Sequence, residues 1–171
     1  MRALKIAAMT ALAALAACSD DAPKQQNQAQ TSNVMTPGLY EAGWTVSEVR
    51  STDKTDPATK LTVGTSGDSK GCVDGPAIDL ALFAEGEDQC KQTSSYVRGG
   101  RINLQMQCKR DGEDGPVMQT VTGTSTGDSF EAEVSTSTYL TGFGDYSMVR
   151  TVTGKRVGAC EPESPAAPGA S

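Results

Sequence analysis

Arg101-Ile-Asn-Leu-Gln-Met-Gln-Cys108 places Ile102, Leu104, Met106 and Cys108 at every second position, with polar residues between them. Successive side chains of a strand point to opposite faces, so a period of two reads as a strand with one face buried and one in water. The alternation recurs through the chain, in Tyr40, Ala42, Trp44 and Val46, in Phe130, Ala132 and Val134, and in Tyr146, Met148 and Val152. Turn-forming clusters separate these runs: Asp53 to Pro57, Gly64 to Gly71, Gly99-Gly100, Asp111 to Pro116, Gly127-Asp128 and Gly142 to Asp145. The expectation is a mainly β chain of about seven antiparallel strands, arranged as a single sheet or a partly closed barrel. One segment departs from the period. Pro76 precedes Ile78 and Leu82, four residues apart, which predicts one short α-helix closing a mouth or an edge of the sheet.

Cys72, Cys90, Cys108 and Cys160 form an even set, read as two disulfides that staple the sheet. A four-thiolate metal site lacks its paired Cys-x-x-Cys spacing, and no metal or cofactor is expected. If the hairpin turns through a three-residue loop at Arg98-Gly99-Gly100, Cys90 falls opposite Cys108 and Tyr96 opposite Ile102. That register favours Cys90 with Cys108 and Cys72 with Cys160. A two-residue loop breaks it, and then Cys72 with Cys90 and Cys108 with Cys160 becomes the better pairing.

Outside the strands the ends read differently. Arg2 and Lys5 precede an apolar run from Ile6 to Ala17, the build of an export signal, and the run is too short to span a bilayer. It closes as Leu15-Ala-Ala-Cys18, which resembles the lipobox of bacterial lipoproteins. That resemblance implies cleavage before Cys18 and lipidation of its thiol and amine, so Cys18 is a membrane anchor. Ser19 after the cysteine, rather than Asp, favours the outer membrane over the inner by the sorting rule of such lipoproteins. The expected organisation is a signal peptide over 1–17, a lipidated N-terminus and polar tether over 18–35, a β-rich domain over 36–160, and a Pro/Ala tail over 161–171.

The 171 residues hold 15 Lys and Arg against 21 Asp and Glu, and no histidine. The acidic balance argues against nucleic acid as a partner. Without histidine, a Ser-His-Asp or Cys-His nucleophile pair and imidazole zinc ligation are excluded. Gly123-Thr-Ser-Thr-Gly127 matches G-x-S-x-G, but it leads into a hairpin instead of a helix and has no histidine partner. Ser51-Thr-Asp-Lys54 matches S-x-x-K within a hydrophilic turn, without the companion motifs of that chemistry. Asp111-Gly-Glu-Asp-Gly115 lacks the spaced ligands of a calcium loop and reads as a solvated hairpin tip. Lys155 and Arg156, with Arg150 nearby, read as a solvated strand end. Glu131 and Glu133 point the same way from one strand, as solubilising charges do, instead of flanking a cleft.

Several stretches together resemble the domain-of-unknown-function family 3617, small exported lipoproteins of Gram-negative envelopes. They are Thr36-Pro-Gly-Leu-Tyr-Glu41, Cys72-Val-Asp74, Cys90 at a strand start, Cys108, Thr126-Gly-Asp-Ser-Phe-Glu131 and Gly154-Lys-Arg-Val-Gly-Ala-Cys160. The likeness covers roughly residues 36 to 160 and implies no activity and no catalytic residues. Two function classes follow. The first is a non-catalytic interaction or structural domain of the periplasm-facing cell envelope, docking an envelope protein through an edge strand or a loop such as 47–71. The alternative is a lipid-anchored module that holds a small apolar ligand on a concave face of Tyr40, Trp44, Tyr96, Ile102, Leu104, Met106 and Phe130. An enzyme is not expected.

Overall fold

The computed structural model describes residues 34–160, so the predicted signal peptide, Cys18, most of the tether and the Pro/Ala tail lie outside the described residues. Eight strands form one antiparallel sheet: β1 Gly38–Ser51, β2 Ser66–Asp74, β3 Ala77–Ile78, β4 Gln89–Arg98, β5 Arg101–Lys109, β6 Val117–Thr126, β7 Ser129–Thr138 and β8 Tyr146–Gly158. Their order is β3-β2-β1-β8-β7-β6-β5-β4, a meander whose last strand returns beside the first, and the sheet curls until it is nearly closed into a barrel. The strand beyond the expected seven is the two-residue β3, too short to leave an alternation in the sequence.

The predicted α-helix is instead a 3-10 turn over Leu80–Leu82. Ile78 is spent on pairing with Val73, and the Asp79 carboxylate caps the turn by accepting from the Ala81 amide at 3.0 Å. Ile78 and Leu82 still face the same core, so their spacing was a true signal of burial but not of helix. The turn lies against β2 because Gly71 has no side chain: a Cβ there would stand 2.8 Å from Leu82 and 2.9 Å from Asp79. The turn also reaches β4, so the segment between β3 and β4 crosses the concave side of the sheet.

Inward positions line up as rungs across the sheet. Phe130 and Ala42 flank Gly154, and the next rungs are Ile102, Gly123, Ala132 and Val152, then Leu104, Val121, Val134 and Arg150, then Met106, Gln119, Thr136 and Met148. The apolar members other than Met148, with Tyr40, Phe83 and Leu82, form one core cluster, and Met148 packs with Val46 and Tyr146 in a second. Tyr40 and Phe83 each approach the Phe130 ring, with centroids 6.0 and 5.5 Å away, in tilted and edge-on contacts.

Disulfides join Cys72 with Cys160 and Cys90 with Cys108. The first ties β2 to the chain just beyond β8 across 88 residues, and the second ties the edge strand β4 to β5 across 18. Loop-closure entropy gives them about 4.5 and about 3 kcal/mol of stabilisation. The β4–β5 turn has two central residues, Gly99 and Gly100, both at positive φ, as a type I′ turn requires. Such a turn places Val97, not Tyr96, opposite Ile102, and it would by itself move Cys90 out of register with Cys108. A bulge at Thr93 shifts β4 by one residue and restores Cys90 opposite Cys108.

Candidate functional site

Of the residues expected to line a concave binding face, Tyr40, Ile102, Leu104, Met106 and Phe130 are at most 2% exposed and belong to the packed core. Trp44 is partly buried against it. Tyr96 is a correction: it pairs with Asn103, stands on the outer face and is 56% exposed. Its placement rested on a three-residue loop, and it lies between the two-residue turn and the bulge, where the register differs by one. Glu131 and Glu133 are exposed on the outer face of β7. Arg156 is spent on the Pro37 carbonyl, to which its Nε donates at 2.8 Å.

The site is at the mouth, the end where β1, β5 and β7 finish and β6 and β8 begin; of the loop 47–71 expected to dock, only 52–65 is loop and lies here, while 47–51 and 66–71 belong to β1 and β2. Four connecting segments meet there, 52–65, 83–88, 110–116 and 139–145. Backbone bonds lock three of them together, from Thr52 to Asp145 (2.9 Å), Ala58 to Gly144 (2.9 Å) and Thr141 to Asp114 (2.8 Å), amide to carbonyl in each case. Beneath them is a network of ions that is mostly out of water. The Arg110 guanidinium donates to both Asp88 carboxylate oxygens at 2.9 and 2.8 Å and to the Tyr146 hydroxyl at 2.7 Å, and lies 3.0 Å from a Glu85 oxygen. Side-chain exposure is 18% for Arg110, 8% for Glu85 and 3% for Asp88. Burial works against the charge on Arg110, but the bonds to Asp88 and Tyr146 and the Glu85 charge outweigh it, and its pKa is raised. Burial, reinforced by Glu85, pushes the Tyr146 phenol above its ordinary value, so the hydroxyl stays protonated and donates to Glu85.

Deeper in, Arg150 is 1% exposed. It donates from Nη1 to the Ala84 carbonyl at 3.2 Å and from Nη2 to that of Phe83, and its guanidinium stacks 5.4 Å from the Trp44 ring. Burial lowers its pKa, with the Glu85 and Asp88 charges opposing. Arg110 and Arg150 thus hold the crossing segment 83–88 against the concave face, one through its carboxylates and the other through its carbonyls. The signal for Arg150 was its parity: it falls on the inward side of β8 between Met148 and Val152, where a charge must be paired or hydrogen-bonded.

Asp53 fastens the outer loops. Its carboxylate accepts from the Thr55 hydroxyl (2.7 Å) and amide (2.9 Å), and from the Gly144 (2.8 Å) and Asp145 (3.0 Å) amides. These donors, Thr55 foremost, hold its pKa well below the usual carboxylate range. A depressed folded-state pKa contributes stability that is complete above about pH 4 and lost as pH falls towards the folded-state value. Asp53→Ala is therefore expected to strip hydrogen-exchange protection from the Gly144 and Asp145 amides at neutral pH, as strong acid does in the unaltered chain. Unchanged protection in the variant would remove Asp53 from this role.

Above the network opens a cleft of about 710 Å³. Trp44, Pro57, Ala58 and Leu61 form an apolar wall, and Glu85, Glu87, Asp88, Asp111 and Glu113 with Lys60 and Arg110 form the rest. Tyr139 and Phe143 stand 61% and 84% exposed on the adjoining 139–145 segment. Among the described residues no group of three or more Cys, Asp or Glu side chains is arranged to hold a metal ion.

A family model described as a protein of unknown function (DUF3617) matches residues 35–160. No curated protein and no solved structure matches the chain.

Proposed function

The chain belongs to the DUF3617 family of proteins of unknown function, and from that premise we propose an envelope lipoprotein, anchored through Cys18, whose β domain is a non-catalytic module that docks a partner protein at its mouth. The observation that carries this reading is the contrast between the two concave regions. The apolar face suited to a small ligand is filled by its own side chains and by the segment 83–88, whereas the mouth keeps an open cleft on loops pinned by Asp53, Arg110 and Arg150. Binding residues carried on loops over a rigid sheet are a common arrangement for recognition. The tether fits as well. β1 begins at the end opposite the mouth, where the Thr36 amide donates to the Gly127 carbonyl at 3.0 Å, so the N-terminal tether joins the domain away from the cleft and leaves it open. The filled face also speaks against the small apolar ligand, and the lack of histidine favours a non-catalytic role.

Replacing residues 1–18 by a signal peptide that is cleaved without lipidation tests the anchor and the filled face in one preparation. The chain so exported is expected in the soluble periplasmic fraction, with a native mass equal to the polypeptide with two disulfides. Retention in the membrane fraction would contradict the anchor, and a reproducible added mass lost on organic extraction would restore the apolar-ligand reading.

A further inference from the structure

Charge is unevenly shared between the mouth and the remainder of the domain. The four mouth segments hold nine carboxylates against three cations, Lys54, Lys60 and Arg110, whereas the other described residues hold eight against nine. The net negative charge of the domain is therefore gathered at one end, nine against three giving minus 6 at the mouth and eight against nine giving plus 1 elsewhere. Within the cleft Glu85 and Asp88 are engaged by Arg110, but Glu87, Asp111 and Glu113 make no ion pair among the described residues. These three stand around an apolar wall of Trp44, Pro57, Ala58 and Leu61.

A rim of unpaired carboxylates around an apolar wall is complementary to one class of occupant. Resting on the docking reading above, we infer that the mouth takes a basic polypeptide segment of the partner, whose Lys or Arg side chains meet Glu87, Asp111 and Glu113 while a neighbouring apolar side chain covers the Trp44–Leu61 wall. Rim charges of this kind raise association rate and select partner sign, and salt screens them. An acidic segment meets like charge on a surface that offers it Lys60 alone, because Arg110 is already engaged by Asp88, Glu85 and Tyr146.

Trp44 is the only tryptophan of the chain and lines the cleft, so its emission reports occupancy directly. The chain from residue 19 onward, exported without its lipid, is titrated with a short peptide of lysine, leucine and glycine and with its counterpart carrying glutamate for lysine. The lysine peptide is expected to shift Trp44 emission saturably at low salt, with apparent affinity falling about tenfold or more towards 0.5 M salt, and the glutamate peptide to leave emission unchanged. Glu87→Lys combined with Glu113→Lys, both outside the buried network, is expected to weaken the lysine peptide to a similar degree while circular dichroism stays unchanged. Should that variant not fold, the salt series on the unaltered domain decides alone. Equal response to both peptides, no response to either, or insensitivity to salt would overturn the inference. Capture of a natural partner at the cleft alongside any of these results would leave the docking reading standing and assign the partner a different chemistry.

Discussion

Arg110→Met is expected to lower the unfolding free energy by about 3–5 kcal/mol, the usual cost of removing one partner from a buried ion pair. The magnitude follows from what remains behind. Asp88 and Glu85, at 3% and 8% side-chain exposure, lose the cation that satisfies three of their oxygens, and Tyr146 loses its acceptor-side contact as well. Methionine fills much of the volume and returns none of the charge. Because the loss comes from stranded carboxylates, Glu85→Gln and Asp88→Asn added to Arg110→Met should recover most of it, a coupling that urea unfolding of the single and triple variants measures. A loss under about 1 kcal/mol in the single variant, the range of solvent-exposed pairs, would show that water reaches the network and that Arg110 does not hold the segment 83–88. The functional consequence follows from position. Without Arg110 the floor of the cleft is no longer fixed to the β5 end, so docking should weaken even where the variant remains folded.

Strands with one wet face were legible because burial writes itself into the sequence with a period of two, as in Ile102 to Cys108 and Phe130 to Val134. The pairing of Cys90 with Cys108 came out of the sequence through two departures that cancel. Gly99-Gly100 turns in two residues, not three, and the bulge at Thr93 returns the missing step, so only the residues between them, Tyr96 above all, are displaced to the other face. A bulge leaves no mark in composition, which is why the register of Tyr96 was beyond reach. The ion network beneath the mouth was hidden for a different reason. Arg110, Glu85, Asp88 and Tyr146 come from three separate stretches of chain, 22 to 61 residues apart, and each alone reads as a solvated charge or a strand end. Arg150 is a correction: grouped with Lys155 and Arg156 it reads as part of a solvated strand end, whereas it is 1% exposed, and its inward parity in β8 was the signal that separates it from them.

The docking claim meets its most direct test in photo-crosslinking from chosen positions of the anchored chain in living cells. A benzoylphenylalanine probe is placed at Thr59 or Asp111 in the cleft, at Thr122 on the outer face of β6, and at Gln92 on the free edge of β4. All but the half-buried Thr59 are exposed, and Thr122 and Gln92 leave the mouth untouched. The expected result is one discrete adduct from Thr59 and Asp111 and none from Thr122 or Gln92. An adduct from Gln92 or Thr122 with nothing from the cleft would contradict the account and move docking to the β4 edge or the outer sheet face, and silence at every position would leave the mouth without a partner.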